Sequence, residues 1–407
     1  MLLNRDRANK AMGKKGLDAL IASSPENIQY LTDVPGLRGY AVLPYDKNLE
    51  PFLITGINKN DVIVDSGTWI KDIRFSGAVY YWHYDPKVKL TGVEKILKDN
   101  VDSAIMDEVV PSGDVITQAS MKELSKGLQA RGLDKSNLGI EERGTTITQF
   151  KKLKEFLPEA NLVFADDAFA YARQVKTEDE LKLFEEIVHI NEDGWKAICE
   201  SAKPGVTEGE LLKTYKKSVV SYGPEGAGVN YLAYLTIGNS SFAHNGVGMN
   251  RSAKLKRGDL ISFNGGLVYK NHPIHMGRTA VLGEPENPKV NKYFQAILEA
   301  EDVGLETLRP GVKASDIYTI MMETARKTIP HYQRHHTGHS LGLGPGYDTP
   351  NFLANDHTLL EKGMVFNIEP TAFVEFGFGT LRLEDTLVIT NNGYKLFTTT
   401  SRDIWRL

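Results

Sequence analysis

The sequence predicts an α/β (α+β) protein in two parts. Residues 1–168 alternate short apolar runs with segments of helical spacing, and residues 169–407 contain a helix, Pro-Gly-Val, helix unit twice. A third feature, polar side chains set inside otherwise apolar strands of the second part, marks where chemistry is expected.

The bulk numbers set the frame. A chain of 407 residues is enough for two or three domains of ~150 residues each. Hydrophobic content of 41% and charged content of 25% are those of an ordinary soluble globular protein. A net charge of −4 gives no basis for a nucleic-acid or anionic-membrane partner. No apolar run reaches the ~18 residues of a membrane span, and the opening MLLNRDRANKAMGKKG has no signal-peptide core. Cys199 is the only cysteine, so no intrachain disulfide forms, and a reducing, cytoplasmic location is expected.

In the first part, DALIAS (18–23), YAVLP (40–44), PFLIT (51–55), SAIMD (103–107) and NLGIE (137–141) read as buried strands. They are short, apolar and bounded by turn formers. GVEKILKDN and ASMKELSKGLQARG between them have helical spacing. Strands alternating with helices predict a parallel or mixed sheet.

In the second part, Leu181, Phe184, Ile187, Val188, Trp195 and Ile198 recur on one helical face. Pro204-Gly205 ends that helix, and Thr207 with Glu210 forms a capping box for the next. The same grammar returns over 291–327, again as a long amphipathic helix, Pro310-Gly311-Val312 and a capped helix. Pro-Gly after a helix is common punctuation, yet the paired pattern predicts two related α/β halves.

Four segments put polar groups into apolar strands: SSFAHNG with His244; ISFNGGLVYKNHPIHMGRT with Asn264 and His275; HHTGHSLGLG with His335, His336 and His339; and MVFNIEP with GTLRLEDT, carrying Glu369, Arg382 and Glu384. Asn264 and His275 are equidistant from Tyr269-Lys270, which in a regular hairpin sets them face to face, about 5 Å apart. Glu369 and Glu384 are equidistant from Phe376-Gly377. Two facing buried carboxylates require a cation, a proton or an arginine between them. A single strand histidine is more often core, and Glu384 paired with Arg382 is an ordinary structural contact. Five or six such groups together point to a functional site.

On these motifs the chain resembles the creatinase / aminopeptidase P / prolidase (M24) family, whose pita-bread fold is shared with methionine aminopeptidase. GHSLG, MVFNIEP and LRLEDT look like its catalytic signatures, and the KTEDEL helix start and the PGV repeat also fit. The resemblance implies a catalytic pita-bread domain with pseudo-two-fold repeat over 169–407, after a smaller creatinase-like domain over 1–168. Metallopeptidase members hold two divalent ions on two aspartates, a histidine and two glutamates. His339, Glu369 and Glu384 match; the aspartate positions fall on Asn264 and His275. Two ions are therefore not expected. The expectation is a site without cofactor, the alternative one divalent ion (Zn, Mn or Fe) on His275, His339, Glu369 and Glu384. The family's further histidine, in a His-Glu-Pro-like run, is replaced by GPGYDTP, with Gly346 and Tyr347.

Asn264, the GHS motif and His244 are similar to metal-free creatinase, where that histidine is general acid and base. Gly277 and Glu384 depart from it. Arg38, in YLTDVPGLRGYAVLP, matches an arginine that clamps the substrate carboxylate from the partner subunit. The expected function is hydrolysis of a C–N bond (amidine, ureido or amide) in a small carboxylate-bearing substrate. His244, Glu369 and Glu384 would be catalytic, and Arg38, Asn264, His275, His339 and Arg382 would bind substrate. The alternatives are a single-metal Xaa-Pro dipeptidase or aminopeptidase P-like enzyme, and an inactive member acting as a binding protein. The family implies a homodimer.

Overall fold

The apolar runs of the N-terminal part pair into one mixed sheet. The computed structural model describes all residues except 77–84, 91, 104–112, 223–229, 232, 239–249, 345–347, 371–372 and 376–378. It divides into two units, Met1–Arg173 and Gln174–Leu407.

In the N-terminal unit the elements run α1 (Arg5–Lys15), β1 (Ala19–Ala22), α2 (Pro25–Thr32), β2 (Gly39–Pro44), β3 (Phe52–Gly56), α3 (Asn60–Ser66), β4 (Asp72–Ser76), α4 (Gly92–Ser103), α5 (Gly113–Gln129), β5 (Asn137–Ile140), α6 (Ile147–Phe156), β6 (Asn161–Phe164) and α7 (Asp166–Arg173). The sheet order is β4-β3-β2-β1-β5-β6. Strand β2 is antiparallel to both neighbours, and the other contacts are parallel. Ile21, Val42, Phe52, Ile54, Leu138 and Ile140 build its core against Met121, Leu124 and Leu128 of α5. The sequence reading missed β4 and β6, the two edges of the sheet. The strand expected over 103–107 is not one where it is described: Ser103 closes α4, and the rest lies outside the described residues.

In the C-terminal unit the order is α8 (Glu178–Ser201), α9 (Glu208–Val220), β7 (Asn230–Tyr231), β8 (Tyr234–Ile237), β9 (Leu260–Tyr269), β10 (His272–Val281), α10 (Lys289–Thr307), α11 (Ala314–Thr328), β11 (Gly338–Ser340), β12 (Val365–Ile368), β13 (Phe373–Glu375), β14 (Gly379–Leu381), β15 (Asp385–Ile389), β16 (Tyr394–Leu396) and β17 (Trp405–Arg406). Thr177 with Glu180, and Thr207 with Glu210, form complete capping boxes at α8 and α9. The predicted apolar face of α8 is buried, with Trp195 stacked 5.3 Å from Phe263 of β9. One core forms beneath α8 and α9, and a second beneath α10 and α11.

The repeat extends to individual hydrogen bonds. Gly205 N donates to Leu255 O, and Gly311 N to Leu360 O. Leu255 N donates to Val206 O, and Leu360 N to Val312 O. Further on, Gly258 N to Leu282 O matches Gly363 N to Ile389 O, and Leu282 N to Asp259 O matches Ile389 N to Met364 O. Each half is thus a helix pair laid over a strand ladder, related by an internal two-fold. One expectation fails. Helix α11 begins at Lys313 with no side-chain cap; Ala314 N and Ser315 N donate instead to Thr358 O and Asp356 O, so backbone carbonyls of a neighbouring loop satisfy the first-turn donors.

Candidate functional site

The site is assembled by strand register. In the second half, β12 lies between β11 and β15, with His339 opposite Asn367 and Asn367 opposite Thr386. Thr386 Oγ1 donates to the His275 carbonyl at 2.7 Å, which brings β10 onto the same ladder. The register Ile368↔Asp385 makes Glu369 and Glu384 the next rung. The turn joining these strands lies outside the described residues.

The first hairpin corrects the expected pairing. Its turn is Lys270-Asn271, both at positive φ (47° and 64°), the two-residue I′ pattern, rather than Tyr269-Lys270. Asn264 therefore faces Gly277, and His275 faces Gly266. Asn264 and His275 still share a face, as diagonal rather than direct neighbours, and both are partly buried in strands otherwise mostly closed to solvent.

Nδ1 of His275 lies 3.1 Å from Nε2 of His339, with the rings steeply inclined at 76°. One ligand atom from each of His275, His339 and Glu369 falls within 4.8 Å of the others. Nδ1 of His339 faces the Ser340 carbonyl at 3.3 Å, which favours the tautomer with the lone pair on Nε2. Burial pushes the His339 pKa well below its ordinary value, helped by His275 and His336. Burial also lowers that of His275, and Arg382 adds to this against the pull of Glu384. Both shifts favour the neutral imidazole, the form that binds metal.

The acids are held by arginines. Glu369 Oε1 accepts from Arg334 Nη2 at 2.8 Å and lies 3.1 Å from His336 Nδ1; its Oε2 accepts from Asn367 Nδ2 at 3.1 Å. Glu384 Oε1 accepts from Arg382 Nη1 at 2.9 Å, while its buried Oε2 has no hydrogen-bond partner among the described residues. Burial and the adjacent Glu384 push the Glu369 carboxyl up to about 8, against Arg334 and Arg382. A buried carboxylate oxygen with no partner among the described residues, beside a second acid and two imidazoles whose burial disfavours protonation, suits one divalent cation. Two nitrogens and an oxygen fit zinc, iron or manganese.

The sequence-predicted residues separate as follows. His275, His339 and Glu369 converge. Glu384 adjoins them. Arg382 is buried against Glu384, so its partner is an acid of the site. Asn264 lies across from Gly277 on the hairpin face that carries His275. Arg38 belongs to the N-terminal unit and is exposed. His244, Gly346 and Tyr347 lie outside the described residues. Sequence reasoning gave no role to Arg334, His336 or Asn367. Asn367 stands two residues before Glu369 in an alternating strand, which is the signal that finds it.

Two helix pairs over two ladders, joined by an internal two-fold with polar groups on the facing strands, define a pita-bread domain. The chain belongs to metallopeptidase family M24, which it matches over residues 182–391, and residues 5–83 match the creatinase/prolidase N-terminal domain. A Pyrococcus horikoshii protein named Xaa-Pro dipeptidase is 30% identical over 287 residues, 69% of this chain and 76% of that one. An uncharacterized peptidase of Bacillus subtilis, YqhT, is 23% identical over 98% of both chains. The structure of the Xaa-Pro dipeptidase from Bacillus anthracis superposes with a TM-score of 0.76 at 19% identity, covering 99% of both chains, which shows the shared fold.

Proposed function

We propose that this protein is a single-ion hydrolase of small Xaa-Pro-type dipeptides. The observation that carries the reading is the group of His275, His339 and Glu369, whose ligand atoms lie within 4.8 Å of one another beside Glu384 Oε2, which has no hydrogen-bond partner among the described residues. The relatives named Xaa-Pro dipeptidases support this reading over the amidine-directed one.

His275, His339 and Glu369 would hold the ion, with Glu384 Oε2 as a further donor. Bound there, a divalent ion supplies Lewis-acid polarisation of a carbonyl group. The chain's own residues do the positioning. Arg334 and Asn367 fix both oxygens of Glu369, Arg382 fixes one oxygen of Glu384, and Thr386 fixes the backbone of His275. Asn264, a neutral amide, and His275 stand where the metallopeptidase members carry two aspartates, so one ion is expected rather than two.

A second reading has one observation in its favour. Arg334 and Arg382 already pair with Glu369 and Glu384, which suits metal-free, creatinase-like cleavage of a C–N bond. Elemental analysis of chain purified without chelator, with an Xaa-Pro dipeptide assay, separates the two. The peptidase reading expects about one ion per chain, with activity lost on chelation and restored on readdition. No bound ion, or full turnover in chelator, sinks it.

A further inference from the structure

The chain around Glu384 has a second, hidden side. Consecutive residues of an extended segment send their side chains to opposite faces. Glu384 pairs with Arg382, and Asp385 turns the other way into a charged cluster of its own. That cluster joins Glu301 and Asp302 of α10, Arg278 of β10 and Arg402 of the C-terminal segment.

Two arginines knit it together. Arg278 Nη2 donates to Asp385 Oδ1 at 2.6 Å. Arg402 spans three acids. Its Nε and Nη2 donate to Glu301 Oε2 at 2.9 and 2.7 Å. Its Nη1 lies 2.7 Å from Asp302 Oδ1, and its Nε lies 3.3 Å from Asp385 Oδ2. Glu301 and Asp385 are fully buried, and Asp385 Oδ2 has no hydrogen bond among the described residues. Burial and Asp385 push the Glu301 carboxyl well above its ordinary value, against Arg402 and Arg278.

An arginine so near a chain end often only fastens that end. Here other contacts do so: Glu192 accepts from Thr399 N and Thr400 N, Arg278 donates to Thr400 O, and β17 pairs with β10. What Arg402 adds is a tie from α10 to Asp385. Glu384 has need of it. It stands just before β15 and joins β10 only through an isolated bridge to Gly277. A donor to an ion has to be held within about 0.5 Å.

We infer that Arg402 is a positioning residue for Glu384, bracing from α10 the back of the segment whose front carries that acid; the inference rests on the single-ion reading above. A guanidinium suits the task, since its planar fork reaches several carboxylates at once where an ammonium is a point charge.

The test uses the full chain, Arg402→Met, and Arg402→Met combined with Glu301→Gln. Arg402→Met lowers the urea midpoint, because Glu301 loses its cation. Adding Glu301→Gln restores most of that midpoint, and this double variant carries the test if the single one fails to fold. Zinc affinity by calorimetry falls about 10–100-fold in both variants. Amide hydrogen exchange at Gly277 and Glu384, which bond each other, becomes faster in both without zinc. Recovery of affinity and exchange along with the midpoint overturns the inference, leaving Arg402 as the partner of Glu301 alone. Unchanged affinity and exchange in Arg402→Met also overturn it. If the unaltered chain binds no zinc, the single-ion reading falls, and exchange at Gly277 and Glu384 still decides whether Arg402 braces them.

Discussion

Gly277 and Glu384 exchange both backbone hydrogen bonds, Gly277 N to Glu384 O at 3.1 Å and Glu384 N to Gly277 O at 3.0 Å. Each stands five residues before its counterpart in the repeat, Leu282 or Ile389, so the internal two-fold passes between them. The exchange joins the two halves at the site. Arg278 seals it, donating through Nη1 to both carbonyls at 2.8 Å and through Nη2 to Asp385 at 2.6 Å.

A side chain at 277 has no room there. An added Cβ would fall 2.4 Å from Glu384 Cγ. Gly277→Ala is expected to cost about 1–3 kcal/mol in urea unfolding and to weaken metal binding by displacing Glu384. Unchanged metal affinity together with unchanged stability would mean that the contact relaxes freely.

The ligands and their supports should differ in degree. His275→Ala and His339→Ala each remove a donor, and affinity for added zinc or manganese should fall at least about a hundredfold. Asn367→Leu removes only the hydrogen bond to Glu369 Oε2 and should cost about 10–100-fold. Calorimetric metal titration gives the order. A larger loss in Asn367→Leu than in either histidine variant would exclude the assigned ligand set.

Arg382 and Glu384 are both buried, 4% and 0% exposed. Arg382→Met leaves the Glu384 carboxylate without its partner and should destabilise by about 3–5 kcal/mol. Adding Glu384→Gln should recover much of the loss. Denaturant unfolding of the two single variants and the double variant checks this; strict additivity would show that the pair is not coupled.

Glu192, buried on α8, ties down the C-terminal segment by accepting from Thr399 N, Thr400 N and Thr399 Oγ1. Burial pushes its carboxyl up, but the hydrogen bonds from Thr400 and Thr399 outweigh this and leave the pKa below its ordinary value of 4.5. A pKa depressed by folding gives stability that is full above the unfolded value and lost as pH falls through the folded one. Glu192→Gln should therefore cost about 1.5–3 kcal/mol at neutral pH, and its deficit should shrink on acidification below the unfolded value. A deficit constant down to the acid transition would remove the charged carboxylate from the explanation.

Legibility followed burial. Strands β1, β2, β3 and β5 are interior, so their sequences are apolar runs. Strands β4 and β6 are the sheet edges, and DIRFS and NLVF carry little pattern because only part of each is covered. The capping boxes at Thr177 and Thr207 were equally readable, being local. Lys313 was not, since its helix start is satisfied by backbone carbonyls some forty residues away in the chain.

The sequence by itself determined the two-part α/β plan, the repeated helix pairs and the residue types His275, His339, Glu369 and Glu384, because periodicity, turn chemistry and acid–base character belong to the residues. Only the tertiary structure decided which of them meet. A turn one residue later than the symmetric guess set Asn264 against Gly277, and the ladder of β11, β12 and β15 carried His339 and Glu369 to His275. Arg334, Asn367 and the missing Cβ at Gly277 gained their roles in the same way. A side chain's partner is fixed by strand register and by the space its neighbours leave, and both arise only when distant segments pack.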